Sequence, residues 1–596
     1  MSDDLKHECG VALVRLRKHG TFYRDKYGTA DWGGTKLSLL LEKQHNRGQD
    51  GAGAAILNAN PVPGESAYTV LKSASQTPLV DLLGQIAKRH AQDDGSSSAK
   101  RDALQRVPLC DESTFLGHLR YATFGKGDVS CCHPFIHEST CLERTLFLAG
   151  NFNLTNNHDL FTRYVELGHH PNSRADAYLL TQLMAHYLGA AIDRQASRQP
   201  AHHLTAENLA EILGDTLKDV DGAYVLCGMT GDGWSFAVRD PYAIRPGFYF
   251  VNDEVAVVAS ERPAIQAAFD VTPEAVKELP PATALLVSPD GKVQMSTLRP
   301  DNPPKRSCSF ERIYFSRAND CAIHHERKAL GAALVQPILK AADAPLEDIF
   351  FSYIPNSARI AFHGLLEELF RMYLCGSTPL RDEALPRFGE IAVKDAKFRT
   401  FIADAAARRE FYKHVYDVTY GLVRPGKDTL VVLDDSIVRG NTMKRAILPM
   451  LDRLGPRHIV IASSAPPIRY PDCYGIDMST LGELVAFRAL VNLLGAEAED
   501  SLRAALAGRD TPNPLAALYA RFTPGQHATE IARLLTPPDL KAEVSVVFQS
   551  VEALHKACPN DTGDWYFTGE YPTPGGYRVL HTALKNYLEK NDERSY

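Results

Sequence analysis

Two adjacent carboxylates, Asp434 and Asp435, follow the apolar run Thr429-Leu-Val-Val-Leu433. That run is short and rich in β-branched residues, the pattern of a strand buried on both faces of a parallel sheet. A small polar loop, Ser436-Ile-Val-Arg-Gly-Asn-Thr442, comes next. The spacing Met443, Ile447, Met450, Leu451, Leu454 then predicts a helix, with Gly455 as its stop signal. Loop amides and a helix N-terminus can hold a phosphate. The carboxylates can hold what lies beside it, a sugar diol or a divalent metal. A lone acid pair after a strand is more often loop or cap. The order of strand, acid pair, hydroxyl, Arg-Gly, hydroxyl and helix favours the phosphate site.

The string closely resembles the phosphoribosylpyrophosphate (PRPP) loop of phosphoribosyltransferases. The resemblance implies that Asp434 and Asp435 meet the ribose 2- and 3-hydroxyls. It also implies that Ser436, Arg439, Gly440, Asn441 and Thr442 cradle the 5-phosphate. By itself it does not name the second substrate.

Bulk properties narrow the class. A chain of 596 residues calls for at least two domains. Hydrophobic residues make up 44% and charged residues 23%, as in ordinary globular proteins, and a net charge of -7 gives no reason to expect nucleic acid as a partner. The apolar stretches are strand-sized and interrupted, so no membrane span is expected. The polar start, Met-Ser-Asp-Asp-Leu-Lys-His-Glu, lacks the apolar core of a signal peptide. Eleven cysteines without a C-x-x-C pair suggest reduced thiols and a cytoplasmic location.

The first half carries its own chemistry. Cys9 opens Glu8-Cys-Gly-Val-Ala-Leu-Val-Arg15, where the plain reading is a small buried hydrophobe beside a strand. Further on come His45-Asn-Arg-Gly-Gln-Asp-Gly-Ala-Gly53, Gly117-His-Leu-Arg-Tyr-Ala-Thr-Phe-Gly125 and Ala149-Gly-Asn-Phe-Asn-Leu-Thr-Asn156, the last ending an apolar strand from Leu146 to Ala149. Arg174-Ala-Asp-Ala-Tyr178 precedes an apolar-faced helix, and Asp221-Gly-Ala-Tyr and Arg239-Asp-Pro-Tyr-Ala-Ile-Arg-Pro246 bracket two more strands. In this order the pieces resemble the glutaminase half of glutamine PRPP amidotransferases, the amidophosphoribosyltransferase family. Periodicity alone predicts only a strand-rich first half with helices. The resemblance implies an α+β N-terminal-nucleophile domain, an αββα sandwich, followed by an α/β parallel-sheet phosphoribosyltransferase domain.

Amide hydrolysis suits these residues. A cysteine thiol is the best ready nucleophile, but it needs a base. Once a chain is cut ahead of Cys9, the new α-amine serves, titrating at about 7.7–8.0. By resemblance, the Asn151 side chain and the Phe152 backbone N–H form the oxyanion hole. Arg120 suits the α-carboxylate of glutamine and Asp176 its ammonium. Thr123 joins them in the glutamine site, and Arg47 stands where the family orders that site.

Two departures stand out. The family usually reads His-Asn-Gly-Asn in the oxyanion stretch, and here it is Gly150-Asn-Phe-Asn153. A backbone donor survives any side chain, though Phe152 can constrict the hole. Cys9 is internal as written, so residues 1–8 are expected to be removed as a propeptide. His19 to Gly34 and Gln92 to Lys100 read as surface insertions.

The second half alternates strand and helix. Asp348-Ile-Phe-Phe-Ser-Tyr-Ile-Pro-Asn-Ser-Ala358 reads as a strand, a small loop and a helix start. In the family the matching loop, usually Pro-Glu-Thr, holds pyrophosphate. Here Asn356 replaces the acid, and Ser357 keeps a hydroxyl for magnesium. Val393-Lys-Asp-Ala-Lys-Phe-Arg-Thr-Phe-Ile402 resembles the family's flexible loop, with Lys394, Lys397 and Arg399 facing pyrophosphate. On its own this would be a solvated basic face. Ser463-Ser-Ala-Pro-Pro-Ile-Arg-Tyr-Pro-Asp-Cys-Tyr-Gly-Ile-Asp-Met478 and Phe567-Thr-Gly-Glu-Tyr-Pro-Thr573 are further family signatures. From about Leu490 to Leu554 the likeness fades into an Ala/Leu-rich, helical segment.

The expected cofactor is Mg²⁺, on Ser357, Asp434 and Asp435. No iron–sulfur cluster is expected. Cys308 fits one position of the family's cluster and Cys473 is displaced by one from another, but Gly563 and Tyr566 stand where the final cysteine pair belongs. The expected domains are a propeptide 1–8, a glutaminase 9–300, a phosphoribosyltransferase 301–490, and a helical insertion with a C-terminal family segment 491–596. The resemblance implies an enzyme that makes 5-phosphoribosylamine from PRPP, glutamine and water, as a homo-oligomer without nucleic acid or membrane. A PRPP- or nucleotide-sensing protein that has lost catalysis, and a transferase that uses free ammonia only, are the other readings the departures leave open.

Overall fold

The computed structural model describes residues 8–64, 66–91, 111–122, 125, 127–196, 204–301, 303–374, 385–394, 416–476, 478–508 and 512–591. Two compact units emerge, Lys6–Ser307 with Cys473–Ile476, and Cys308–Asp472 with Asp477–Tyr596.

The first unit holds two antiparallel sheets. One has seven strands in the spatial order Lys277–Glu278, Phe248–Val251, Val255–Ala259, Gly10–Leu16, Glu112–Arg120, Gly51–Asn58 and Tyr68–Ser73. The other has six, in the order Val293–Thr297, Thr283–Val287, Ser235–Arg239, Gly222–Thr230, Leu146–Leu154 and Phe135–His137. Strand side chains alternate between faces. Val11 and Leu13 therefore join Leu116, Phe147, Val225 and Leu285 between the sheets. Ala12, Val14 and Leu16 point the other way, against Leu37, Leu40 and Leu41 of the helix Trp32–Lys43. On the far face of the six-stranded sheet, Leu146, Leu148, Tyr224 and Phe236 pack with the helices Asp176–Ala196 and Ala206–Leu217. The layers run helix, sheet, sheet, helix, the αββα sandwich. Burying each such side chain contributes about 1.5–3 kcal/mol.

Two sequence expectations change here. His19 to Gly34 is no loose surface insertion. Its helix Gly20–Tyr27 buries Tyr23 completely, and Tyr23 stacks on Trp32 with ring centroids 4.9 Å apart. A run of aromatics among polar residues is easily read as surface when its partners lie far off in sequence. The strand ahead of the oxyanion stretch does not stop at Ala149 but runs to Leu154, paired along its length with Gly222–Thr230. Gln92 to Lys100 lies outside the described residues.

The second unit is built on a five-stranded parallel sheet, ordered Arg387–Phe388, Ile349–Tyr353, Thr429–Asp434, His458–Ser463, Glu543–Phe548. Leu430 and Val432 face one layer with Met443, Ile447, Met450, Leu451 and Leu454. Val431 and Leu433 face the other, with Ile338, Phe362 and Leu365. Burial on both faces explains why Thr429–Leu433 is continuously apolar rather than alternating. The helix after the acid-pair loop begins as a wide turn over Met443–Ile447, where the N–H of Leu448 reaches Met443 O, and goes on as Leu448–Asp452. Pro449 has no N–H to return to Arg445, which removes one ordinary helical bond there. The segment after Leu490 is mostly helical, as Ala498–Ala507 and Pro524–Leu535, but it also supplies the edge strand Glu543–Phe548. Among the described residues no helix is long and apolar enough to cross a membrane.

Candidate functional site

In the first unit, half-buried Cys9 sits one residue before the strand Gly10–Leu16, and its sulfur accepts from the Tyr121 N–H at 3.3 Å. Burial pushes this thiol up to about 11, only partly offset by the Tyr121 N–H and the charge of Arg120, while Asp176 raises it further and Arg47 lowers it. Three charged residues named from sequence therefore act on one sulfur. A thiol at that level is protonated at neutral pH and needs a base.

Arg120 is the last residue of Glu112–Arg120, and its Nη1 donates to Gly125 O at 3.0 Å. Asp176 opens the helix Asp176–Ala196 and accepts from Ala177 N–H at 2.7 Å. Burial pushes Asp176 up to about 6, against the lowering pull of helix N–H groups and Arg120. Arg47 is buried, with Nε on Glu261 Oε1 at 2.8 Å. Thr123 lies outside the described residues.

Strand geometry orients the predicted oxyanion donors. Tyr224 gives its N–H to Asp240 Oδ2 and takes Asp240 N–H on its carbonyl, so both its backbone groups face away from Phe152, its register partner. In an antiparallel ladder, a residue opposite such a position also turns its own N–H outward. Gly150 shows the same polarity two residues earlier: its N–H reaches His133 Nδ1 at 3.3 Å, and its carbonyl meets His118 Nε2 at 3.0 Å. The ladder with Gly222–Thr230 thus leaves the Phe152 N–H uncommitted. The Phe152 ring packs beside Leu154, Leu160 and Tyr164 and tilts against His133 at 5.7 Å. Asn151, next to it, is buried and turns Nδ2 toward Glu8 Oε2 at 3.4 Å.

Sequence reasoning missed several residues here. His118 and His133 stack with centroids 4.1 Å apart, and burial pushes His118 down to about 3, so it is neutral. Glu8, Arg245 and Gly48 were not singled out either. The one available signal was His118, a polar residue inside the otherwise largely apolar strand Glu112–Arg120; the others lie outside strands, where nothing local marks them.

In the second unit, Asp434 ends its strand fully buried, and Asp435 is 2% exposed. Backbone N–H groups of Ser464 and Ala465 hold the carbonyls of Asp434 and Asp435, each at 3.0 Å. Ser436 Oγ donates to Asp435 Oδ1 at 2.9 Å, and Ser357 Oγ donates to Asp435 Oδ2. Asn356 is exposed, follows a cis peptide bond from Pro355, and precedes the helix Arg359–Leu374. Arg439 pairs with Glu483 at 2.7 Å, Asn441 is exposed and Thr442 is buried. Gly440 has φ +73, and a Cβ there would sit 2.3 Å from Leu535 Cδ2, so the tight turn requires glycine. Lys394 ends the strand Ala392–Lys394, where only its backbone is described; Lys397 and Arg399 lie outside the described residues.

Among the described residues no group of three or more His, Cys, Asp or Glu could hold a metal. Mg²⁺ needs less: one or two carboxylates, waters and substrate phosphates. The oxygen donors of Asp434, Asp435 and Ser357 fit such an ion. Cys308 pairs in a parallel bridge with Gly563, and the Tyr566 hydroxyl lies 3.4 Å from Cys308 Sγ while taking the Phe310 N–H at 2.7 Å. A phenol and a glycine thus adjoin this thiol at the positions compared with the cluster cysteines.

No family model matches the chain. Among curated proteins, it is 30% identical over 383 residues to an amidophosphoribosyltransferase of Pasteurella multocida, covering 62% of this chain and 69% of that one. The enzyme of the same name from Haemophilus influenzae is 30% identical over 384 residues, covering 62% and 70%. That of Mus musculus is 29% identical over 416 residues, covering 65% and 72%. Among solved structures, a glutamine PRPP amidotransferase from B. subtilis complexed with ADP and GMP matches with TM-score 0.61 and 24% identity, covering 95% of this chain and 97% of that one. One described as the allosteric regulatory enzyme of purine biosynthesis matches with TM-score 0.64 and 24% identity, covering 95% and 96%. The solved structures share the fold. The curated relatives share identity over most of their own length, and on that ground this chain belongs to the amidophosphoribosyltransferase family.

Proposed function

We infer that this chain converts PRPP, glutamine and water to 5-phosphoribosylamine, glutamate and pyrophosphate, the first committed step of de novo purine biosynthesis. The observation that carries the reading is the gathering of Arg120, Asp176 and Arg47 around the Cys9 thiol. A glutamine zwitterion needs a cation for its carboxylate and an anion for its ammonium, and Arg120 and Asp176 supply them. The Cys9 sulfur attacks the side-chain amide carbon, its proton passing by way of the freed α-amine to the leaving ammonia. Asn151 Nδ2 and the Phe152 N–H hold the oxyanion. Water then hydrolyses the thioester and releases glutamate.

In the second unit, ammonia attacks C1 of PRPP and pyrophosphate leaves. Asp434 and Asp435 hold the ribose, and Ser436 with Arg439 to Thr442 holds the 5-phosphate. Asn356 and Ser357 bind the pyrophosphate, and the resemblance assigns Lys394, Lys397 and Arg399 to the same group. This half works by positioning and by stabilising leaving-group charge. Asp435, Ser357 and Asp434 would hold Mg²⁺, which would supply neutralisation of that charge. We keep as part of the same reading the removal of residues 1–8, the division at 300/301 and 490/491, a cytoplasmic location and a homo-oligomer. The nine described cysteines, all free thiols, support the location.

Pyrophosphate release with glutamine or with ammonia tests the reading. Cys9→Ala is expected to abolish the glutamine-driven reaction and spare the ammonia-driven one. Intact mass of the active protein should begin at Cys9. Glutamine use that survives Cys9→Ala would overturn the assignment.

A further inference from the structure

The residue just ahead of the nucleophile is held on every side. Glu8 is 2% exposed. Arg245 Nη1 donates to its Oε1, while Arg47 Nη1 at 3.3 Å and Asn151 Nδ2 at 3.4 Å donate to its Oε2. Arg47 and Arg245 are each 1% exposed, and Arg47 is also tied to Glu261. Two buried guanidiniums thus face two buried carboxylates, and losing Glu8 removes one of those two negative charges.

The backbone of Glu8 is held as firmly. Its carbonyl oxygen accepts the Gly48 N–H at 2.9 Å. Gly48 has φ +46, and a Cβ would come 2.3 Å from the Leu119 carbonyl, so only glycine brings this N–H so close. Across the bond, Cys9 Sγ rests on the Tyr121 N–H at 3.3 Å. The Glu8–Cys9 peptide is therefore fixed at both ends, with an N–H donor already on the carbonyl where negative charge would develop.

We propose that Glu8, clamped by Arg47, Arg245 and Asn151, is a positioning residue for cutting the Glu8–Cys9 bond, and that it keeps the glutamine site closed until the cut. The proposal rests on the reading that Cys9 works with a free α-amine. In the cut, Cys9 Sγ bonds to the Glu8 carbonyl carbon and the carbon–nitrogen bond breaks, the thiol proton passing to the Cys9 nitrogen. One water then hydrolyses the thioester, leaving a Glu8 carboxylate, a free thiol and the amine. Departure of Glu8 releases Asn151 Nδ2 for glutamine. Before the cut, the same donor is engaged by a carboxylate of glutamate chemistry.

Intact mass of the full chain, followed over time after synthesis, tests this. Glu8→Ala and Arg245→Met should be cut at least about tenfold more slowly than the unmutated chain, the scale of loss when a reacting bond is misplaced. Glu8→Gln, which keeps shape but loses charge, should fall between. A chain started at Cys9 and carrying Arg245→Met should hydrolyse glutamine within about twofold of the same chain without the change, since the clamp acts before catalysis. Glu8→Ala cut at the unmutated rate would overturn the clamp while leaving the function standing. Equal loss of glutaminase from Arg245→Met in the chain started at Cys9 would also overturn it, by making Arg245 a structural support. An unmutated chain that still carries Glu8 yet hydrolyses glutamine fully would instead overturn the free-amine reading beneath both.

Discussion

Ser357 and Asp435 stand 78 positions apart in sequence, yet the hydroxyl of the first donates to the carboxylate of the second. The sheet brings them together. Ile349–Tyr353 and Thr429–Asp434 are parallel neighbours, with Tyr353 opposite Leu433, so both loops leave the same edge. In open parallel sheets, ligands bind outside the carboxyl ends of the strands. Ser357→Ala should raise the PRPP concentration needed for half-maximal ammonia-driven turnover by about 10- to 150-fold, as expected for losing about 1.5–3 kcal/mol of hydrogen bonding to a charged group. Steady-state pyrophosphate release against PRPP, at fixed Mg²⁺, measures it.

Asp435→Asn should weaken PRPP use with either nitrogen source to the same degree. Both oxygens of Asp435 are engaged by serine hydroxyls, so the amide also turns two donors toward one another. If only the glutamine-driven reaction suffered, the placement of the acid pair at the ribose would be wrong. Parallel assays with ammonia and with glutamine decide between the two.

Asp176 predicts the acid limb of glutamine hydrolysis. Burial holds its carboxyl up to about 6, so it is ionised above that pH and loses its charge as the pH falls through it. Only the ionised form attracts the substrate ammonium. kcat/KM for glutamine should therefore steepen below about pH 6, adding roughly a further tenfold loss for each unit to the fall that protonation of the Cys9 α-amine begins at about 7.7–8.0. The stability sign is the reverse: a carboxyl raised in the folded state costs stability at high pH, and the cost disappears as it protonates. Asp176→Asn should show a low kcat/KM without that limb.

His118→Phe tests the support beneath the oxyanion strand. The ring stack on His133 survives, but the bond to the Gly150 carbonyl is lost. A buried carbonyl left without its donor costs about 1–3 kcal/mol. Urea unfolding should show that loss, and glutamine hydrolysis should drop while ammonia-driven turnover is unchanged. Because burial keeps His118 neutral, with its pKa pushed down to about 3, the effect should not vary between pH 6 and 8.

Much of the second unit was legible in the chain. Thr429–Leu433 had to be a strand buried on both faces, and Met443, Ile447, Met450, Leu451 and Leu454 had to share one helix face; all five pack in one cluster with Leu430 and Val432. Gly440 was legible as a turn, although the crowding by Leu535 was not. Tyr23 and Trp32 were misread because their core partners, Phe248, Phe250 and Phe269, lie more than two hundred positions away.

The order of strand, acid pair and loop around Asp434 and Asp435 was enough to point to phosphate-sugar chemistry, whereas the thiol chemistry of Cys9 with Arg120 and Asp176 came only from the resemblance of several motifs to a known family. Such patterns are local, and local backbone preference and side-chain chemistry are written in neighbouring residues. The long-range pairings were decided by the tertiary structure alone. Asn151 and Phe152 lie inside a long strand rather than after one, because a strand's length depends on its partner, here Gly222–Thr230. Glu8 meets Arg245, 237 positions away, because Gly10–Leu16 lies at the middle of its sheet, and a carboxylate buried there must be paired from distant parts of the chain.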